Sequence, residues 1–286
     1  MPESDPAPAD DLLPGIVGRP TLRWRAGERS TVIDRIAEEV PVAMRYNGVA
    51  FSVMMATPAD LEDFALGFSM SEGLIQHASE LLGVEVRPCI EGIELYMRVA
   101  HTAPVTSLPP AAARELPGRS GCGLCGARQL EDVMRMPPPL ESPATYPVAS
   151  LRFALASLGR MQPLNTLAGS THAAAWVDRN GRIVLVREDV GRHNALDKLA
   201  GAMHRQSLST EAGLVLISSR ASYEMVSKAA HAGMAIVAAV SAPTALAIDL
   251  AKAAGICLVG FARQDGFNVY AHPERLLGFE TDTPLC

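Results

Sequence analysis

The sequence predicts an α/β protein: a three-layer sandwich, a smaller α+β domain ahead of it, and a mobile CxxC loop at the junction. Three observations carry this. First, residues 214–217, 235–240 and 256–259 are short, continuously apolar runs, too uniform for strands with one wet face, so they belong at the centre of a sheet covered on both sides. Second, apolar stripes at helical spacing alternate with those runs. Third, before residue 100 the pattern changes to paired strands about tight turns, as expected of a separate α+β unit.

Taken in order, residues 1–11 are rich in Pro, Ala and Asp and carry neither a basic region nor an apolar stretch, which does not suit a secretory signal. Residues 1–20 are expected to form a disordered tail. Residues 41–46 and 49–56 flank Asn47-Gly48, a dipeptide that accepts the positive φ of a two-residue hairpin. Thr57 is expected to cap a helix, with Pro58 in its first turn and Asp60 at the capping-box position, followed by Leu61, Phe64, Ala65 and Phe68 on one face. A second antiparallel pair, 84–87 with 93–99, completes a domain spanning 21–100.

Residues 101–148 read as a linker, punctuated by Pro104, Pro109, Pro110 and Pro117. It carries Ser120-Gly-Cys-Gly-Leu-Cys-Gly126, then a short helix over 127–136 and a second proline-rich link. A helix over 149–160 opens the α/β domain, 149–286, and an antiparallel pair forms about Asn180-Gly181. The helical stripes that follow are Leu196, Leu199, Ala200 and Met203, then Met225, Val226 and Ala229, then Leu246, Ala247, Leu250 and Ala254. Right-handed crossovers connect such strands and helices. There is no internal repeat.

With 286 residues and 48% hydrophobic content the chain can bury a sizeable core. Its 25 basic and 31 acidic side chains give a net charge of −6, which argues against nucleic acid or an anionic membrane as partner, so an anionic ligand needs a local site. The most apolar stretch, 234–261, is interrupted by Ser241, Pro243, Thr244, Asp249 and Lys252 before it reaches bilayer length. Five cysteines, of which Cys89, Cys257 and Cys286 have no near neighbour, make a poor disulfide framework and suit a reducing compartment, the cytoplasm.

Cys122 and Cys125 are the chemical candidates. Flanking glycines remove bulk and let the loop swing toward a partner. A helix starting at Ala127, with Arg128 nearby, would favour the thiolate, and two thiols three apart provide one to receive a sulfur and one to resolve it. Other chemistries use a CxxC: a structural zinc site, which lacks a second ligand pair here, and a thioredoxin-like oxidoreductase, which needs the motif at a strand-to-helix turn. A zinc deaminase needs His-x-Glu, where Thr171-His172-Ala173-Ala174 has alanine.

Polar residues gather at element ends: 169–172, 187–194, 218–222 and 241–244. In an open α/β sheet ligands bind where strand C-termini meet helix N-termini, and 218–222 and 241–244 occupy such junctions, where hydroxyls, free N–H groups and Arg220 would suit phosphates. From the four segments together, Thr171, His172, Arg192, Ser219 and Arg220 are the candidate cofactor contacts. Each hydroxyl is also compatible with an ordinary helix N-cap. His193 receives no acid or base role. At the last apolar run, Phe261 offers a face on which a base would stack and Arg263 a guanidinium for phosphate, although Phe261 would equally serve to end the core.

These stretches together resemble the formate dehydrogenase accessory sulfurtransferase family. The resemblance is carried by the Asn-Gly hairpin, residues 58–75, Cys-Gly-Leu-Cys-Gly, Thr171-His172-Ala173, residues 187–198 and 219–225, and Gly260-Phe261 with Arg263. The resemblance implies a larger domain similar to the cytidine deaminase fold without its zinc chemistry, and a homodimer. It implies that a cysteine desulfurase loads a persulfide on Cys122, with Cys125 as partner, and that the sulfur passes to molybdenum in bis-molybdopterin guanine dinucleotide destined for formate dehydrogenase. It places a guanine-nucleotide contact on Phe261, Ala262, Arg263, Gln264, Asp265 and Gly266, where nucleotides such as GDP would mimic the cofactor. No metal ligand is expected. Gly121 before the first cysteine and Ala127 after the motif depart from the family's more polar pattern. Two rival readings are a cofactor chaperone that moves no sulfur and a zinc-stabilised binding module.

Overall fold

The computed structural model describes residues 13–108, 137 and 139–279. Strands β1 (Ile16–Arg25) and β2 (Glu28–Ala37) pair antiparallel along their whole length. Their turn uses Ala26 and Gly27, both at positive φ, the backbone that a two-residue hairpin requires. β1 thus begins inside the range expected to be a tail. Gly18 and Pro20 within the strand hid it, since both are weak strand formers, and Pro20 is tolerated because a two-stranded ribbon has open edges.

The next unit is a four-stranded sheet in the order β4-β3-β6-β5, built from β3 (Val40–Tyr46), β4 (Val49–Ala56), β5 (Leu81–Cys89) and β6 (Gly92–Val99). Helix α1 (Leu61–Ser71) lies on one face. The Asn47-Gly48 turn forms as expected, and the Asn47 side chain also bridges to the backbone of Val99. Phe64 and Phe68 from α1 pack over Met44, Leu95 and Met97. The start of α1 differs from the sequence reading. Asp60 is its N-cap, in the left-handed region and without a side-chain capping bond, because Thr57 is used elsewhere: its hydroxyl accepts from the Val190 N–H at 3.1 Å and its own N–H donates to Asp189 at 3.0 Å.

The larger unit contains β7 (Tyr146–Pro147), α2 (Val148–Leu158), α3 (Pro163–Ala168), β8 (His172–Asp178), β9 (Ile183–Asp189), α4 (Arg192–Arg205), β10 (Gly213–Ile217), α5 (Tyr223–His231), β11 (Ile236–Ala239), α6 (Ala245–Ala254), β12 (Cys257–Arg263), β13 (Gly266–Ala271) and β14 (Leu276–Leu277). Its main sheet has the order β13-β12-β11-β10-β8-β9. The pairs β10–β11 and β11–β12 are parallel, and the other three are antiparallel. The three apolar runs became β10, β11 and β12, buried throughout apart from the end of β12. Val215, Ile217, Val237 and Leu258 face α4, α5 and α6, while Leu214, Leu216, Ile236 and Val259 face α2. That alternation in fully apolar strands makes the three layers. The helix expected over 127–136 lies outside the described residues.

The two units are bolted together between α1 and α4. A Cβ on Gly67 would fall on the Asp197 carbonyl and one on Gly201 on the Asp63 carbonyl, so only glycine permits this helix crossing. Beside it, the fully buried Lys198 donates to Asp189 Oδ2 at 2.6 Å and to the Thr57 carbonyl at 2.9 Å. Asn194 donates to the Met55 carbonyl at 2.8 Å and to Asp189 Oδ1 at 3.0 Å. A second, partly buried cation, Lys228, lies within 3.0 Å of Asp197 and Glu72. Burial opposes its charge, but the two carboxylates outweigh that and raise its pKa.

Candidate functional site

Register places the polar segments at one edge of the main sheet. Asp189 at the end of β9 lies opposite His172 at the start of β8, Ala174 opposite Ile217, Ile217 beside Ala239, and Ala238 beside Val259. The C-terminal ends of β9, β10, β11 and β12 therefore meet the beginning of β8. Backbone bonds tie the segments that leave this edge: Thr244 N–H to the Ala221 carbonyl at 3.0 Å and Phe261 N–H to the Ser241 carbonyl at 3.1 Å.

A cleft of about 440 Å³ opens here, between the edge and helices α2 and α3. Its polar lining includes Gln162, Asn165, Thr171, His172, Ser218 and Gln264, with Arg263 at the rim. This size falls within the roughly 300–1,000 Å³ range of small-molecule sites. Ser218 is fixed from two sides, its hydroxyl accepting from the Ala173 N–H at 2.9 Å and its N–H donating to the Ala173 carbonyl. Burial pushes the His172 pKa below its ordinary value, and the charges of Arg192 and His193 push the same way. The neutral imidazole is thus favoured, able to accept or donate one hydrogen bond in the cleft.

Glu188 organises the floor. Its carboxylate accepts from the N–H groups of Leu164 and Asn165 at 2.9 and 2.8 Å and from the Thr171 hydroxyl at 2.9 Å. It thereby satisfies the first free donors of α3, where an anion is favoured. Sequence reasoning did not single out Glu188, Gln162 or Asn165. Pro163, well suited to a first helical position, was the available signal for α3.

Phe261 does not end the core. It is 43% exposed and sits at φ 50°, a conformation costly for a bulky residue, which the surrounding structure must hold in place. A register shift in β12–β13 between Gly260 and Arg263 produces it. Ala262 is buried and contributes to the cleft, whereas Asp265 and Gly266 belong to the exposed end of the β12–β13 hairpin.

The remaining sequence candidates are arranged around the cleft rather than in it. Arg192 opens α4, Arg220 is exposed, and the buried Ser219 donates to the Arg220 carbonyl at 3.1 Å. Thr244 is an ordinary N-cap, accepting from the Ala247 N–H. The 187–194 segment is largely structural: Arg187 is held by Asp63 at 2.7 Å, and Asp189 and Asn194 serve the contact between the two units. His193 Nε2 lies 2.7 Å from Glu224.

Cys122 and Cys125 lie outside the described residues. Cys257 is buried in the core, and burial pushes its thiol up to about 12, so it is not a thiolate at neutral pH. Cys89 is exposed at the end of β5.

Comparison with known proteins agrees across the chain. The FdhD/NarQ family profile matches residues 37–277. The chain is 50% identical over 281 residues to the sulfur carrier protein FdhD of Xanthomonas euvesicatoria pv. vesicatoria, covering 96% of this chain and 97% of that one. It is 50% identical over 276 residues to the protein of the same name from Cupriavidus necator, covering 96% and 95%. A crystal structure assigned as a formate dehydrogenase accessory protein from Desulfotalea psychrophila superposes with a TM-score of 0.74 at 27% identity, over 92% of this chain and 100% of that one. Matched over most of its length by the family profile and end to end by these relatives, the chain belongs to the FdhD/NarQ family.

Proposed function

We propose that this protein is a cytoplasmic sulfur carrier of formate dehydrogenase maturation. A cysteine desulfurase transfers a sulfane sulfur to Cys122; the Cys125 thiolate then attacks Cys122 Sγ, so that the Cys122–Cys125 disulfide forms, the persulfide sulfur–sulfur bond breaks, and the outer sulfur leaves at the sulfide level to the molybdenum of bis-molybdopterin guanine dinucleotide. In the loading step the Cys122 thiolate attacks the terminal sulfur of the donor persulfide, the donor sulfur–sulfur bond breaks, and the donor cysteine leaves as thiolate. The acceptor is substrate rather than resident cofactor. Its guanine nucleotide end fits the sheet-edge cleft, with Phe261 offering a stacking face, Arg263 a partner for phosphate, and Thr171, His172, Ser218 and Gln264 the polar lining. In this reading the three-layer unit shares the cytidine deaminase architecture without its zinc chemistry, and the protein works as a homodimer.

The observation that carries the proposal is the 50% identity to proteins named sulfur carriers over nearly the whole chain, together with the glycine-flanked dithiol in the sequence. It is supported by the held, outward Phe261 beside a polar cleft. Among the described residues no helix is long and apolar enough to cross a membrane. The test is mass spectrometry after incubation with a cysteine desulfurase and cysteine. An increment of about 32 Da on the peptide holding Cys122 and Cys125 is expected, one sulfur added to a reactive thiolate. An unmodified peptide, or full formate dehydrogenase activation by a Cys122→Ser/Cys125→Ser variant, would overturn the sulfur-carrier reading.

A further inference from the structure

The sheet-edge cleft is lined by three carboxamides, Gln162, Asn165 and Gln264, each able to turn its oxygen or its nitrogen toward a ligand. His172 is equally adaptable, since a neutral imidazole donates at one nitrogen and accepts at the other. Two hydroxyls in the same lining are not. Thr171, only 7% exposed, gives its single hydroxyl hydrogen to Glu188 Oε1 at 2.9 Å. A carboxylate only accepts, so no hydrogen comes back. Toward the cleft Thr171 is therefore an acceptor. Ser218 has the reverse setting. Its oxygen accepts from the Ala173 N–H at 2.9 Å, and among the described residues none takes its hydrogen, so it meets a ligand as a donor. The two stand side by side, because Thr171 directly precedes β8 and Ser218 is bonded to Ala173 through both its hydroxyl and its N–H.

Glu188 has a second effect on the same wall. The first N–H groups of α3 are all spent: Pro163 has none, Leu164 and Asn165 donate to Glu188, and Thr166 donates to the Gln162 carbonyl. An anion arriving there would find its donors taken and a carboxylate already in its place. The inner cleft thus suits a neutral ring. Any phosphate on that ring is left to Arg263 at the rim.

We infer that Glu188, acting through Thr171, sets the hydrogen-bond sense of the cleft so that it admits a base with a lactam edge, a ring N–H beside a carbonyl. The N–H donates to Thr171 and the carbonyl accepts from Ser218. Guanine and hypoxanthine carry this edge. Adenine carries the reverse, an accepting ring nitrogen beside a donating amino group, and would set lone pair against lone pair at Thr171 and hydrogen against hydrogen at Ser218. Leaving such groups unpaired is what makes polar sites discriminate strongly. In this arrangement Thr171 and Ser218 are the specificity-determining contacts and Glu188 is a positioning residue. The inference rests on the nucleotide placement of the proposed function and deepens it, from which groups line the cleft to which bases they admit. A pterin ring has the same lactam edge, so a simple pterin serves as the probe that separates the two ends of the cofactor.

The experiment is isothermal titration calorimetry of the full chain with GDP, IDP, ADP and neopterin, with circular dichroism to verify folding. ADP is expected to bind roughly tenfold or more weakly than both GDP and IDP. Thr171→Val keeps the shape and removes the acceptor, so GDP and IDP should weaken while ADP does not, and Thr171→Ser should keep the parent preference. Glu188→Gln lets a carboxamide donate to Thr171, freeing the hydroxyl hydrogen for the ligand, so ADP should gain on GDP. General loosening of the cleft would instead weaken all three alike. Equal affinity of the parent for GDP and ADP, or a preference that Thr171→Val leaves unchanged, overturns the inference while the nucleotide keeps its place. IDP binding as weakly as ADP also overturns it, since the 2-amino group would then be what is read. No nucleotide or pterin binding sinks the placement and the inference together. Binding of neopterin alone, lost in Thr171→Val, keeps the lactam edge and overturns the nucleotide placement. Persulfide loading is read separately by mass spectrometry.

Discussion

Lys198 Nζ lies 2.6 Å from Asp189 Oδ2 with both side chains wholly excluded from solvent. Asp189 also receives bonds from Thr57, Gly191 and Asn194, so one carboxylate gathers the end of β4, the end of β9 and the start of α4. Removing the cation strands that carboxylate without its counter-charge. Lys198→Met is expected to cost about 3–5 kcal/mol, as for other buried pairs broken on one side. Urea unfolding followed by tryptophan fluorescence measures it, and a loss below 1 kcal/mol would contradict this account.

The glycine contact between α1 and α4 yields a second expectation. Gly67→Ala drives a methyl group into the Asp197 backbone, where no side chain can give way, so the cost should reach or exceed the roughly 1–3 kcal/mol of ordinary overpacking. Gly159→Ala is the control, since a Cβ there meets nothing within 4 Å. Thermal unfolding of the pair should show a large drop for the first and little change for the second.

At Phe261 stability and binding should move in opposite directions. Phe261→Gly relieves the positive φ and is expected to stabilise the fold by about 1 kcal/mol, the scale of the left-handed penalty for an L-residue. It also deletes the stacking face, so affinity for GDP should fall. Arg263→Ala should lower GDP affinity by roughly tenfold or more, from loss of a charge-assisted bond of about 1.5–3 kcal/mol, with stability unchanged. Isothermal titration calorimetry and thermal unfolding separate the effects.

His172 gives a pH dependence. Its folded pKa lies below the ordinary 6.5 because burial and nearby positive charge disfavour the imidazolium. The unfolded chain therefore binds a proton that the native state refuses, and stability attributable to this group is lost as pH falls below about 6.5. His172→Gln should flatten that portion of the curve of unfolding free energy between pH 7.5 and 5. An identical slope in parent and variant would show that His172 does not titrate differently on folding.

Much of the architecture was legible because its signals were local. Asn47-Gly48 specified a hairpin, and continuous apolar runs specified β10, β11 and β12. Segments 218–222 and 241–244 were read as strand-to-helix junctions, and β10 and β11 do end there; that Thr171 joins the same edge depends on the antiparallel placement of β8, which the sequence did not reveal. What the sequence hid was long-range. Thr57 looks like a helix cap until Asp189 and Val190, more than 130 residues away, claim its N–H and hydroxyl. Arg187 looks available to an anion until Asp63 occupies it. Glu188 looks like part of a solvated charged run, and its role at α3 depends on a fold that places residues 164 and 165 against β9. The ribbon was missed because its apolar residues face water, so no burial pattern marks it.

The close passage of Gly67 over Gly201 has a bearing on how such proteins can be recombined. Each bare backbone is cut to the shape of the other, although 134 positions separate them. Chimeras that join the front half of one relative to the back half of another should stay soluble only when both positions remain without a side chain, so the two halves are interchangeable as parts only in matched sets.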